Sequence, residues 1–291
     1  MGVYIKLVVA ALVTPPLIFC LPNINPVEIL VLQKLKTQNW VAIIMFSGWE
    51  FLRQLASNPD SAVIGLVRNK SETEKKVTEK FSGSDNVHII QGDLTDYASL
   101  HAAATKTAKI TSGGHGCLIT NAGIVSHFDP YDPSEVLECH GNIHLFIVFI
   151  PLLQRGTVKK VIAISAGQAA LDMIPKLKIE VSNVYAIRKA GLNTAVAKFA
   201  ASMVKGILFM SVCPGMMDTG HFAGGIDPEE MQGLMSMLGS FAEYVPHSKG
   251  PVSAEDAVRD MLSVMDKASV ENADGGPWSP VTGISVALRV Y

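Results

Sequence analysis

The sequence lacks the features that mark a nucleic-acid binder, a disulfide scaffold or a zinc protein. Its 24 basic and 26 acidic residues leave a net charge of -2, so no charge excess directs it to nucleic acid or to an anionic membrane. Its four cysteines contain no C-x-x-C pair and indicate neither a disulfide framework nor a zinc site. These absences favour a small-molecule partner, no nucleic acid, and a reducing, cytoplasmic location.

The sequence also lacks an apolar run long enough to be a clear membrane span. Residues 7–21 are uncharged and follow Lys6, but a spanning helix needs roughly 20 residues, and Pro15-Pro16 would break it. We therefore expect residues 1–40 to be an atypical extension, signal-like or unstructured, before a domain that covers residues 41–291. The alternative is a signal or anchor at residues 7–21, which would make the protein membrane-associated or secretory.

From residue 41 onwards, short β-branched runs alternate with longer stretches of helical spacing. The runs cover residues 41–46, 62–68, 87–91, 117–122, 158–165 and 206–215. Helices are expected over residues 49–57, 71–81, 96–109, 135–154 and 184–205, and a last strand over 281–288. Apolar strands separated by helices predict an α/β, doubly wound parallel sheet of the Rossmann-like type, in a single domain.

Ligands of such sheets bind beyond the carboxyl ends of the strands, so the residues that end each strand are candidates for a site. Glycines and polar groups recur at every end, although turn chemistry alone favours the same residues at any one of them. In chain order the ends are Ser47-Gly48, Arg68-Asn69, Gly92-Asp93-Leu94, Asn121-Ala122-Gly123, Ser165-Ala166-Gly167 and Pro214-Gly215.

The pattern changes after the last of these ends. Residues 220–250 carry six glycines and a methionine-rich stretch, which predicts either a mobile substrate lid or a plain surface helix. Ser253 and Asp256 then have the spacing of a capping box and predict the start of a helix.

Tyr185 and Lys189 are four residues apart on a predicted helix, so they share one face. A phenol with an unperturbed pKa of ~10 exchanges protons poorly at neutral pH, whereas a nearby ammonium favours its ionised form. The pair can therefore act as an acid/base group, although a solvated helix face has the same spacing.

Together with the strand ends, this pair resembles the short-chain dehydrogenase/reductase family, in its carbonyl-reductase branch with fungal ketoreductases of the norsolorinic acid ketoreductase type. The matching segments are GDLTD (92–96), TNAG (120–123), VIAIS (161–165), YAIRK (185–189) and CPGMMDT (213–219). The resemblance implies an oxidoreductase, a ketoreductase or alcohol dehydrogenase, that transfers hydride between nicotinamide and an apolar carbonyl or alcohol substrate. It also allows a homo-oligomer, since family members are often dimers or tetramers.

The resemblance further implies residue roles. Tyr185 would exchange a proton with the substrate oxygen, Lys189 would bind the nicotinamide ribose, and Ser165 would hold the carbonyl. The implied cofactor-binding residues are Gly48, Arg68, Asp93, Leu94, Asn121, Ala122, Gly123, Tyr185, Lys189, Pro214, Gly215 and Thr219.

Arg68 bears on the choice of cofactor. An arginine at the end of the second strand suits a 2′-phosphate, whereas an acidic residue there would bind a ribose 2′-hydroxyl. NADP(H) is therefore favoured over NAD(H), unless Arg68 lies in an exposed turn.

Several positions depart from the family pattern. The T-G-x-x-x-G-x-G loop, which brings the backbone close to a pyrophosphate, is truncated, with Phe46 where a glycine belongs. Ala166 replaces the usual second serine, and Glu138 replaces a proton-relay asparagine. His140 and His144 have no third ligand, so we expect no metal.

These departures leave two alternatives to a working enzyme. One is a catalytically impaired protein that uses the retained fold as a binding module. The other is an incorrectly joined gene model of an active enzyme, because the resemblance is lost abruptly before Gly48 and the segment from Asn121 to Gly141 is short.

Overall fold

The computed structural model describes residues 5–10, 18–19, 40–43, 46–81, 85–113, 116–122, 138–176, 178–179, 182–202, 206–218, 231–233, 235–236, 238–240 and 250–270. The strands are β1 Ile5–Ala10, β2 Ile18–Phe19, β3 Trp40–Ile43, β4 Ala62–Val67, β5 Val87–Gln91, β6 Cys117–Thr120, β7 Lys160–Ile164, β8 Leu208–Val212 and β9 Met216–Met217. The helices are α1 Phe46–Ala56, α2 Lys70–Lys80, α3 Tyr97–Ile110, α4 Glu138–Leu153, α5 Met173–Lys176, α6 Asn183–Ala201 and α7 Ala254–Lys267.

Parallel strands form the main sheet. β5 pairs with β4, and β6, β7 and β8 follow one another on the other side. Both β1 and β3 pair in parallel with β4 and with β6. A separate antiparallel pair joins β2 to β9. The parallel sheet confirms the predicted Rossmann-like class.

Two apolar layers cover the sheet because side chains alternate along each strand. Ile64 and Leu66 of β4 belong to a core with α3, α4 and α6. Val63 and Val67 of the same strand belong to the opposite core, with α1 and α7. The sheet is therefore covered on both faces, as its nearly continuous apolar strands predict.

The structure corrects several boundaries. The run at 41–46 is not one strand, because β3 ends at Ile43 and α1 begins at Phe46. The prediction of Phe46 as a strand residue is therefore wrong. The predicted strand at 206–215 is shorter, Leu208–Val212, because the chain turns through Gly215, whose φ is 82°.

Within residues 1–40, Ile5–Ala10 pairs with the main sheet and Ile18–Phe19 pairs with β9. Within the described ranges no helix is long and apolar enough to cross a membrane. Of the predicted lid, residues 231–233, 235–236 and 238–240 are helical. The expected strand at 281–288 lies outside the described residues.

The cap of α7 confirms the capping-box prediction. The Oγ atom of Ser253 accepts the amide proton of Asp256 at 3.0 Å, and its hydroxyl donates to the Asp256 carboxylate at 2.7 Å. This hydrogen bond and that of Arg259 lower the pKa of the Asp256 carboxyl. Arg53 of α1 pairs with Glu255 at 2.8 Å, which joins α1 to α7.

Candidate active site

The carboxyl ends of β4 to β8 meet at one edge of the sheet, here called the crest, because these strands are parallel. The crest consists of the residues that directly follow these strands: 68–69, 92–94, 121–122, 165–167 and 213–215. The structure thus brings together five of the six strand ends that the sequence singled out.

Tyr185 and Lys189 lie on the buried face of α6, as their spacing predicts, with exposed fractions of 2% and 7%. The Lys189 Nζ atom donates a buried hydrogen bond of 2.7 Å to the carbonyl oxygen of Ile164, the last residue of β7. It also lies 5.8 Å from the centre of the Tyr185 ring. The ammonium is therefore held at the crest, close enough to stabilise a negative charge on the phenol.

Ala166 and Tyr185 form a small buried apolar cluster of their own. Ser165, one position earlier, donates its amide to the Val212 carbonyl at 2.8 Å and so continues the strand ladder. Its Oγ atom is buried and has no hydrogen-bond partner among the described residues. A methyl group thus lies beside the phenol of Tyr185, the candidate acid/base group. The nearby Ser165 hydroxyl is available to hydrogen-bond to a ligand.

The β5 end has a clear structural role. The Asp93 carboxylate accepts hydrogen bonds from the amide and hydroxyl of Thr95 at 2.9 and 2.8 Å. Leu94 is buried, and a methyl group on Gly141 would lie 2.5 Å from the Leu94 carbonyl oxygen. The Asp93 side chain therefore shapes its own turn, and the start of α4 packs against that turn.

The remaining predicted cofactor residues fall into two groups. Asn121, Ala122, Pro214 and Gly215 are buried at the crest, and Arg68 is half-buried at the end of β4. Gly123 and Thr219 lie outside the described residues.

Gly48 lies in the first turn of α1, which begins two residues earlier at Phe46. Only Ile44 and Met45 separate the end of β3 from this helix. No glycine-rich segment therefore fits between them, in agreement with the truncated loop seen in the sequence.

Asn142, Gln168 and Arg188 are among the buried polar residues that were not singled out from the sequence. Arg188 could have been found, because it is three residues after Tyr185 and so lies on the same helix face. In the part of the chain that the structure describes, no three His, Cys, Asp or Glu side chains are grouped to hold a metal ion.

Known proteins resemble this chain in sequence and in fold. The family model for short chain dehydrogenases matches residues 48–229, so the match begins at Gly48, before which the sequence resemblance is lost. A "Short chain dehydrogenase virK" from Hypocrea virens is 44% identical over 247 residues, 79% of this chain and 91% of the relative. A "Short-chain dehydrogenase/reductase iacC" from Pestalotiopsis fici is 42% identical over 248 residues, 79% of this chain and 91% of the relative.

Solved structures agree on the fold. An NADPH-bound carbonyl reductase from chicken fatty liver superposes with a TM-score of 0.62 at 21% identity, covering 78% of this chain and 89% of that one. Carbonyl reductase Sniffer of D. melanogaster gives a TM-score of 0.61 at 17% identity, covering 80% and 94%. The chain therefore belongs to the short chain dehydrogenase family of oxidoreductases.

Proposed function

We propose that this protein is an NADP(H)-dependent ketoreductase or alcohol dehydrogenase for an apolar carbonyl or alcohol substrate. The observation that carries the proposal is the buried Tyr185 and Lys189 pair, which the hydrogen bond to Ile164 holds at the end of β7. The family membership supports the reaction class, and the carbonyl reductase from chicken fatty liver, which has a similar fold, is NADPH-bound.

The crest fits the nicotinamide half of such a cofactor. Ser165 offers a buried hydroxyl that has no partner among the described residues. The bond to Ile164 uses one of the three protons of the Lys189 ammonium and orients the group. At the pyrophosphate end, the first amides of α1 would replace the glycine loop, since helix N-termini favour anions. We expect weaker binding there than a glycine-rich loop would give.

The residues of this chain would divide the work as follows. When bound, the cofactor supplies or accepts the hydride. Tyr185 donates its phenolic proton to the carbonyl oxygen in reduction and takes it back in oxidation. Lys189 stabilises the phenolate left behind. Ser165 would hold the carbonyl through its buried hydroxyl. Because the methyl group of Ala166 cannot donate a hydrogen bond to the substrate oxygen, we expect slow turnover.

Arg68 supports the preference for NADP(H). It stands at the end of β4, and its guanidinium can pair with a 2′-phosphate through charged hydrogen bonds. We further propose that the protein is cytoplasmic and has no nucleic-acid partner. Residues 41–291 would form one domain, with a substrate lid at about 220–250.

The test uses the full chain and the absorbance of NADPH with a panel of apolar ketones. We expect slow oxidation of NADPH that Tyr185→Phe abolishes while NADPH binding persists. Tyr97→Phe is the matched control, because it also removes a phenolic hydroxyl. Tyr97 lies on α3, is 47% exposed and packs against the His144 ring. Equal rates in the two variants would contradict the assigned role of Tyr185.

A second candidate function is a binding module without turnover. It is favoured by the Ala166 methyl beside Tyr185 and by the two-residue connection between β3 and α1, which leaves no room for a glycine-rich loop. It predicts that the natural chain binds NADPH but does not oxidise it with any ketone of the panel. Measurable, Tyr185-dependent oxidation would exclude it.

A further inference from the structure

Thr120 of β6, Ala163 of β7 and Ser211 of β8 lie side by side across the sheet, because Ala163 pairs with both of the others. These three residues are here called the hydroxyl row. Ala163 belongs to the core that contains α4 and α6. Paired residues of neighbouring strands share a face, as the row two positions earlier shows by lying in that same core: Leu118, Val161 and Phe209. The hydroxyl row therefore faces α4 and α6, directly beneath the crest.

The two hydroxyl groups of the row are buried and have no hydrogen-bond partner among the described residues. Thr120 is only 1% exposed. A third buried oxygen without a described partner is the side-chain carbonyl of Asn193 on α6, which packs on β7 and β8. Buried polar groups are normally hydrogen-bonded, to protein or to internal water. These oxygens thus indicate a place for water between the sheet and α6.

The spacing within the hydroxyl row suits water. Neighbouring strands lie about 4.8 Å apart, so Thr120 and Ser211 are roughly 9–10 Å apart across β7. Two water molecules in line, joined by three hydrogen bonds of about 2.8 Å each, span about 8–9 Å. Ala163 lies between the two hydroxyls and carries only a methyl group, which leaves space above the strand.

The hydroxyl row lies next to the anchored end of Lys189. The Lys189 ammonium donates to the carbonyl oxygen of Ile164, the residue after Ala163. Asn193 continues the helix stripe of Tyr185 and Lys189, because the three residues are four apart in the sequence. Tyr185 and Lys189 are buried, whereas Asn193 is partly exposed. Polar groups therefore lead from the buried pair towards the surface of α6.

We propose that the hydroxyl row and Asn193 hold internal water that conducts protons between the solvent and the Tyr185 and Lys189 pair. The proposal rests on the proposed function, in which Tyr185 gives its proton to the carbonyl oxygen and is left as a phenolate. The Lys189 ammonium returns a proton to the phenolate and takes one from the nearest water of the row. Water at Asn193 replaces that proton from the solvent, so one proton enters for each carbonyl reduced.

Melting of the full chain without cofactor tests whether the row holds water. Thr120→Val keeps the shape of the side chain and removes its hydroxyl. If that hydroxyl binds water, the melting temperature should fall by a few degrees, because a hydrogen bond is lost. Thr107→Val is the matched control, since Thr107 is also fully buried without a described partner but lies on α3. A Thr120→Val chain that melts no lower than Thr107→Val would mean a dry row and would overturn the proposal.

A rapid pH drop without cofactor follows the proton itself. Mixing from about pH 9 to about pH 6 protonates only a phenol whose pKa lies below the ordinary ~10. The near-ultraviolet absorbance of the phenolate reports this step, and its loss in Tyr185→Phe assigns it to Tyr185. We expect Thr120→Val and Ser211→Ala to slow the decay about tenfold or more, and Thr107→Val to leave it unchanged. Arg188, the other buried cation of α6, is retained in every variant.

Decay at the natural rate in both Thr120→Val and Ser211→Ala would overturn the proton route. A natural chain that forms no Tyr185 phenolate by about pH 9 would also overturn it, because the pair would have no proton to exchange in that range. Neither readout needs a cofactor. A chain with the expected decay that fails to oxidise NADPH would therefore count against the proposed function only.

Discussion

Ala166 packs against Tyr185 at the carboxyl end of β7, and both residues are buried. The neighbour of the candidate acid/base group is therefore a methyl group, where the family pattern has a serine hydroxyl. This contact links the sequence departure directly to the expected slow chemistry.

Restoring the hydroxyl should speed the reaction. In Ala166→Ser a hydroxyl would lie beside Tyr185 and could donate to the substrate oxygen as charge develops on it. We expect NADPH oxidation to rise about tenfold or more, since one such donor is typically worth about 10²–10³ in rate. Ala169→Ser is the control, because Ala169 is equally buried but lies in the following 3-10 turn. Equal rates for the natural chain and Ala166→Ser would sink this interpretation.

Arg68 should decide between the two cofactors. Loss of its charged hydrogen bonds in Arg68→Ala should weaken NADPH binding about tenfold or more, because such bonds contribute about 1.5–3 kcal/mol. NADH binding should change little. Calorimetric titration with both cofactors measures this, and Arg155→Ala provides an exposed control after α4. A parallel loss of both affinities would place Arg68 in a merely structural role.

Gly141 should tolerate no side chain. A methyl group there would lie 2.5 Å from the Leu94 carbonyl oxygen, so the start of α4 must move away from the crest. We expect Gly141→Ala to lower the free energy of unfolding by about 1–3 kcal/mol, although alanine is otherwise the better helix former. Gly167→Ala is the control, since a methyl group at Gly167 would meet nothing within 4 Å. Chemical denaturation compares the two, and equal stabilities would refute the contact.

His88 should make stability fall on acidification. Burial on β5 lowers the pKa of its imidazole from 6.5, so the unfolded chain binds more protons between that lowered pKa and 6.5. The stability from His88 is thus complete above pH ~6.5 and is lost as the pH falls towards the folded-state pKa. His88→Leu should flatten this part of the profile, whereas His101→Gln, at an exposed site on α3, should leave it unchanged. Denaturation at pH values from about 7 to about 5 measures both slopes.

Much of the fold and the site follows from local sequence patterns. Ser253 and Asp256 cap α7 as their spacing predicts, and Tyr185 and Lys189 share the buried face of α6. These predictions succeed because both depend on contacts within one or two helical turns.

The failures concern apolar runs without a clear period. Residues 41–46 read as one strand, but β3 ends at Ile43 and Phe46 begins α1. A short apolar run cannot by itself be distinguished from a buried strand or helix segment. Only the pairing with β4 and β6 decides these cases, and that pairing is tertiary. Likewise, the sequence shows that Ala166 replaces a serine, but only the fold shows that its methyl packs against Tyr185.

Titration of the full natural chain with NADPH tests the central claim most directly, because the catalytic pair has a use only if the crest without its glycine loop still binds the cofactor. The account predicts saturable binding with a Kd below about 1 mM, which corresponds to roughly -4 kcal/mol, and at least tenfold weaker binding of NADH. Absence of NADPH binding in a folded sample, at concentrations well above that value, would contradict the account.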